Sequence, residues 1–136
     1  MDFPARPPES CAADGALFDG LGRQPRSVWR HRDLLAVYDS AAEVAALSPD
    51  FRRLAEVDCL GIIATAPGDD VDFVSRFFAP AAGIDEDPVT GSAHCTLVPY
   101  WSERLGKNEL IARQISQRGG KLWCTHRGDR VTIAGH

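Results

Sequence analysis

The residues best suited to chemistry lie in one run, Ala82-Gly-Ile-Asp-Glu-Asp-Pro-Val-Thr-Gly-Ser-Ala-His94. Gly83 and Gly91 let the backbone turn tightly or approach a ligand closely. Thr90-Gly91-Ser92 opens a helix whose first amides point outward without partners, and the helix dipole adds positive potential at that end. An anionic group such as a carboxylate fits there, on the amides of Gly91, Ser92 and Ala93. Asp85, Glu86 and Asp87 stand beside it. A carboxylate next to a bound carboxylate makes sense if it takes or orients a proton, or holds an amine on the same ligand. Spacing alone leaves a plainer alternative open, in which Asp87-Pro88 starts a turn and Ser92 only caps the helix.

The elements that must hold this run follow from periodicity and punctuation. From Ser92 a helix is predicted to Leu105, the longest of the chain. Its apolar residues Ala93, Leu97, Val98, Tyr100, Trp101 and Leu105 surround much of the circumference, so other structure should wrap it. Pro99 should bend it or break one turn, and Gly106 is a natural C-cap. Upstream, the proline-rich opening reads as an extended strand or linker, residues 12–21 as a short helix and 33–39 as a buried strand. Ser40-Ala-Ala-Glu43 matches a capping box for a helix over 41–47. Ser48-Pro49-Asp50 supplies an N-cap, a first-position proline and an acidic residue for a second helix reaching about residue 57. Strands are predicted over 60–65, 71–78, 110–116, 121–126 and 130–133, with Gly119-Gly120 and Gly128-Asp129 as hairpin turns. Residues 79–91 read as a loop. The basic cluster Arg23, Arg26, Arg30, His31 and Arg32 reads as a solvated surface. The result is an α+β fold, a curved and mainly antiparallel sheet around one buried helix.

Composition narrows the function classes. At 136 residues a single domain over 1–136 is expected, and 44% hydrophobic with 25% charged residues is the balance of a globular chain. A net charge of -4 and a pI near 5.5 argue against nucleic acid or an anionic membrane as partner. The start lacks a basic segment followed by an apolar run, and nothing approaches the ~18 apolar residues of a membrane span, so a cytoplasmic protein is expected. Cys11, Cys59, Cys95 and Cys124 are scattered without a C-x-x-C pair and read as reduced thiols. Adjacent His94 and Cys95 point in different directions on a helix or a strand, so no metal site is expected.

The segment Arg76-Phe-Phe-Ala-Pro-Ala-Ala-Gly-Ile-Asp-Glu-Asp-Pro-Val-Thr-Gly-Ser-Ala-His94 resembles the second half of PhzF-like isomerases. Pro99-Tyr-Trp101, Leu105-Gly-Lys107, Gln114-Ile-Ser-Gln-Arg-Gly-Gly120, Asp129-Arg-Val131 and the opening Asp2-Phe-Pro-Ala5 extend the likeness to essentially the whole chain. The E-D-P-x-T-G-S-A-H core is its most specific part. The resemblance implies two similar domains, each a barrel-like sheet around a central helix, with the active site between them, a fold shared with diaminopimelate epimerase. It implies Asp87 and Ser92 as catalytic residues, with Gly83, Thr90, Gly91, Ser92 and Ala93 binding substrate, and no cofactor. The catalytic glutamate of that family belongs to the N-terminal domain and has no match here.

The chain thus reads as a C-terminal half with its small-carboxylate-binding motif kept. Open sheet edges and an uncovered face suggest a homodimer. Three functions are compatible: a homodimeric binding or vestigial protein, an active isomerase built from two copies, or an enzyme completed by a separate N-terminal half.

Overall fold

In the computed structural model, residues 2–12, 15–57, 59, 61–87, 90–116 and 119–135 are described. Leu60 at the start of a predicted strand and Pro88 and Val89 of the motif, with the Asp87-Pro88 turn, lie outside them.

The long helix, α4, spans Gly91–Leu105, and every residue from 93 to 102 is buried, nearly three turns with no solvent face. Gly106 ends it in the left-handed region at φ 68°, its N–H bonded to the Ser102 carbonyl at 2.9 Å. Pro99 does not break the helix. Its missing N–H leaves the Cys95 carbonyl without the usual donor, and the backbone N–H of Arg6 fills that place at 2.8 Å.

Among the described residues ten strands form one sheet: β1 (Asp2–Pro4), β2 (Glu9–Ser10), β3 (Ser27–Arg30), β4 (Leu34–Val37), β5 (Ile62–Pro67), β6 (Phe73–Ala79), β7 (Ile84–Asp87), β8 (Glu109–Gln114), β9 (Gly120–Arg127) and β10 (Arg130–Gly135). Their order is β1-β10-β9-β8-β6-β5-β4-β3-β2, with β7 paired to β6 off this path. Among the described residues only β4–β5 and β6–β8 pair in parallel, so the sheet is mainly antiparallel as expected and the fold is α+β. The hydrogen-bonded path does not close. Its two terminal strands are nevertheless neighbours in the chain, joined by residues 5–8, which reach roughly 17 Å at most.

Strands in the middle of the sheet are buried on both faces, which explains their unbroken apolar runs. On one face Leu34, Ala36, Ile62 and Ala64 pack with Leu17, Val44 and Leu54, from α1 (Gly15–Leu21), α2 (Ala41–Ala45) and α3 (Phe51–Leu54). On the other, Leu35, Val37, Ile63 and Phe73 pack against Leu97, Val98 and Trp101 of α4. Gly20 is glycine for a steric reason, since a Cβ there would overlap the Leu54 side chain where α1 and α3 cross. Among the described residues no helix is long and apolar enough to cross a membrane.

Several local expectations need correcting. The Ser40 hydroxyl accepts from Glu43 N–H at 3.2 Å, but the Glu43 carboxylate reaches back to Asp39 N–H at 3.4 Å instead of Ser40. The cap of α3 is Asp50, whose carboxylate accepts from Arg53 N–H at 3.3 Å, so Pro49 precedes the cap and Ser48 does not supply it. The basic cluster contains β3, paired along its length with β4. The predicted loop 79–91 holds a 3-10 turn at Pro80–Ala82 and then β7, bonded to β6. Charged residues around one inward side chain, Val28 in β3, conceal strands this short.

Trp101 tests the packing of α4. Its indole N–H donates to the Thr65 hydroxyl at 3.0 Å, and its ring stacks on Phe73 at 5.8 Å. Trp101→Ala is expected to cost on the order of 3–5 kcal/mol in urea unfolding, the range for a large core aromatic. A variant melting within a degree or two of the parent would place Trp101 at the surface.

Candidate functional site

A buried carboxamide organises the segment that leads into α4. Gln114, at the inward-facing end of β8, accepts from the Thr90 backbone N–H through Oε1 at 2.8 Å. Its Nε2 donates to the Asp87 carbonyl at 2.8 Å and to the Thr90 hydroxyl at 3.1 Å. The Thr90 hydroxyl in turn donates to the Asp87 carboxylate at 2.8 Å. Thr90 is the N-cap of α4 in extended conformation, yet with its hydroxyl engaged by Asp87 and Gln114 it makes no side-chain capping bond. The amides of Gly91, Ser92 and Ala93 are therefore left uncapped by the residue that would ordinarily serve them.

Gly91 adds a second observation. Among the described residues a methyl group there would meet only the Phe3 ring, at 3.6 Å, an ordinary contact, and the position has no positive φ. Folding does not require glycine at 91. Gly83 is the reverse case: it sits at φ +88° after the 3-10 turn, with open space around it. Four residues of extended chain place it roughly 13 Å from Asp87. The structure thus groups Asp87, Thr90, Gly91, Ser92 and Ala93 and leaves Gly83 at the far end of β7.

The three acids of β7 separate by function. Glu86 forms a two-pronged ion pair with Arg76, at 2.8 and 2.9 Å, and Arg76 also donates to the carbonyls of Val44 and Leu47. This fixes β7 to α2, and Glu86 is not available as a base. Strand alternation turns Asp85 and Asp87 to the opposite side, Asp85 exposed and Asp87 half-buried. Asp87 is the one held next to the helix start.

His94 is fully buried, with Nδ1 2.7 Å from the Thr90 carbonyl. A carbonyl only accepts, so Nδ1 carries the proton. Among the described residues Nε2 has no hydrogen-bond partner, and the ring lies 5.9 Å from Phe73. Burial lowers the imidazole pKa to about 4, against the opposing effect of that hydrogen bond. His94 holds the cap residue from below. Cys95 beside it is buried, and burial raises its thiol pKa. Among the described residues no three His, Cys, Asp or Glu side chains converge as a metal site.

Residues 23–136 match the profile of the phenazine biosynthesis-like protein family. The chain belongs to that family. It is 53% identical to an uncharacterised isomerase of Pseudomonas aeruginosa over 137 residues, covering 100% of this chain and 52% of that protein. An uncharacterised isomerase of Halalkalibacterium halodurans is 47% identical over 139 residues, covering 99% of this chain and 52% of that protein. The crystal structure of a PhzF-family phenazine biosynthesis protein from Enterococcus faecalis superposes with a TM-score of 0.94 at 42% identity, over 99% of this chain and 54% of that one. The chain therefore spans about half the length of these phenazine biosynthesis-like relatives.

Gln114 was not among the residues singled out for chemistry. The available signal was a lone amide at the inward phase of a strand whose other inward residues are Leu110 and Ala112. Gln114→Leu removes the acceptor of the Thr90 N–H and the side-chain donors to the Asp87 carbonyl and the Thr90 hydroxyl. With about 1–3 kcal/mol for each buried unmet group, a loss of at least about 2 kcal/mol in chemical denaturation is expected, together with shifted Thr90 and Gly91 amide resonances.

The His94 environment predicts an acid limb. The unfolded chain takes up this proton below about 6.5 and the folded chain only below about 4, so between these values the unfolded state binds more protons. Stability should rise with pH across that window and fall by about 3 kcal/mol as acid is added through it. His94→Asn, which can keep a donor to Thr90, should flatten the limb in melts taken from pH ~7 to ~4.

Proposed function

We propose that this chain is a C-terminal-type half of the PhzF-like fold that binds a small carboxylate at the start of α4, acting as a homodimeric binding or vestigial protein. On this reading the curved sheet is a barrel-like shell around α4, and a second copy covers the face that another domain covers in a two-domain relative. The observation that carries the binding reading is the uncapped helix start, where Thr90 turns its hydroxyl to Asp87 while a glycine that the fold does not require sits at the first helical position. Asp87 opposes a bare anion there. It favours a ligand with an amine or hydroxyl beside its carboxylate. A cytosolic setting suits the four free cysteines.

A second reading is an active isomerase, formed by two copies or with a separate N-terminal half. The isomerase names of relatives that are about twice as long favour it. In that case Asp87 would move a proton at a carbon next to the bound carboxylate, with Ser92 placed at the same helix start. Asp87 and Asp85 are the acids of β7 left free of Arg76, and a reaction needing two bases would require one from another chain.

Titration of the ¹⁵N-labelled protein with alanine, proline and acetate tests the binding reading. Saturable shifts of the Gly91, Ser92 and Ala93 amides are expected at millimolar ligand, because helix-end charge effects contribute only about 0.3–2 kcal/mol. Asp87→Asn should remove the preference for the amino acids over acetate. Unmoved amides at these three residues would reduce the motif to a helix start. Deuterium entering the α-carbon from heavy water would favour the isomerase reading, and a monomer by light scattering would remove the homodimer.

A further inference from the structure

At its other end α4 carries a different assembly. Arg104 follows Tyr100 by four residues, so the two side chains meet on one helix face. The Arg104 guanidinium lies 4.5 Å from the Tyr100 ring centroid and 5.2 Å from that of Trp29 on β3. The two rings meet edge to face at 5.4 Å, and the Trp29 indole N–H is fixed by the Ser27 hydroxyl at 3.1 Å. Two clefts of about 330 and 340 Å³ open beside this group, and Trp29, Tyr100 and Arg104 line both. Pro7, Pro8, Pro99 and the acidic Glu103 extend the first, while Arg26, Asp39, Pro67 and Trp101 extend the second, the cleft better suited to an anion.

We propose that this end of α4 is a second ligand site, taking a planar aromatic ring that bears a carboxylate. The ring packs against Trp29 and the carboxylate accepts from the Arg104 guanidinium, which also hydrogen-bonds the Tyr100 hydroxyl.

Three features carry the assignment. The second cleft has the size and aromatic lining of a small-molecule site. Its charged lining, Arg26 and Arg104 against Asp39, is net positive in a chain of net charge -4. Arg26 is paired with Asp39 at 3.2 Å, whereas Arg104 has no acidic side chain at ion-pair distance among the described residues. Its fork is already ordered by stacking on two rings, so little further side-chain entropy is lost when it grips a carboxylate. Thirteen helical residues separate Arg104 from Gly91, roughly 20 Å, so one small ligand does not span both ends. The assignment is independent of the site at the helix start.

The test follows the Trp29 indole N–H resonance and the amides of residues 100–104 during titration with benzoate and with indole-3-carboxylate. Cyclohexanecarboxylate, charged but not planar, and indole, planar but uncharged, are the controls. Saturable shifts with the aromatic acids are expected, with binding at least about fivefold weaker for both controls and for Arg104→Ala. Arg104→Lys keeps the charge, loses the fork and should weaken binding as well. Because Arg104 is exposed, an unchanged melting curve shows that each variant is folded. Three results would each overturn the proposal: a Trp29 signal unmoved up to the solubility limit, shifts confined to Gly91, Ser92 and Ala93, or undiminished binding by both Arg104 variants.

Discussion

The hydrogen bond from Arg6 N–H to the Cys95 carbonyl is the constraint on which much of the structure depends. A proline in the middle of a helix with no wet face leaves one carbonyl in a place water cannot reach, and such a group is costly unless something else donates to it. The donor comes from the four residues that join the two terminal strands of the sheet. Ala5 N–H bonds to the Asp129 carbonyl, Phe3 lies over Gly91 and Pro7 and Pro8 lie near Pro99. The strap thus runs along α4 from its start toward its end. It links the two ends of the sheet by covalent chain where the strand ladder does not.

Both ends of α4 gain from this arrangement. Strand β1, which leads into the strap, and Gln114 hold the start from two sides, Phe3 against Gly91 and the carboxamide on Thr90. Several polar groups near that start are consumed by structure: Arg76 and Glu86 anchor β7, and His94 stays neutral under the Thr90 carbonyl. Asp87 differs from them in being half-buried and bonded through one carboxylate oxygen to a hydroxyl. A group held in place but still in reach of solvent is suited to binding or moving a proton, and a fully paired one is not.

What the sequence made legible follows from how local each signal is. Helix α4, its glycine stop and the last hairpin were readable because apolar spacing and turn residues act within a few positions, and Gly128 does adopt a positive φ of 60° in a two-residue turn. The cap of α3 was misplaced by two residues because Ser48 and Asp50 are both good caps and only backbone geometry chooses between them. The parallel pairings β4–β5 and β6–β8 left no local trace, since each joins strands separated by helices. At the site Asp87, Thr90, Gly91, Ser92 and Ala93 were legible as neighbours, whereas nothing local separated Gly83 from them. The hydroxyl of Thr90 turning away from the helix was not legible, because it depends on a glutamine twenty-four positions along the chain.

The sheet's edges bear on how such a half-length chain could associate. An exposed strand invites pairing when it is long, flat and apolar. Here β2 has two residues, β1 has three and ends in Pro4, and β7 carries three consecutive acids. These are edges that resist addition of another strand. On the sheet's outer face Ile111 and Trp123 are opposed across β8 and β9, both exposed, but the Lys121 ammonium lies 5.4 Å from the Trp123 ring. A pair of apolar residues partly shielded by a cation is common on a monomer's surface and is a small nucleus for an interface. Strand addition is therefore the weaker route to assembly. A second copy would have to meet a face, and the end of the sheet that carries Asp87 and the start of α4 offers polar groups with capacity for new partners.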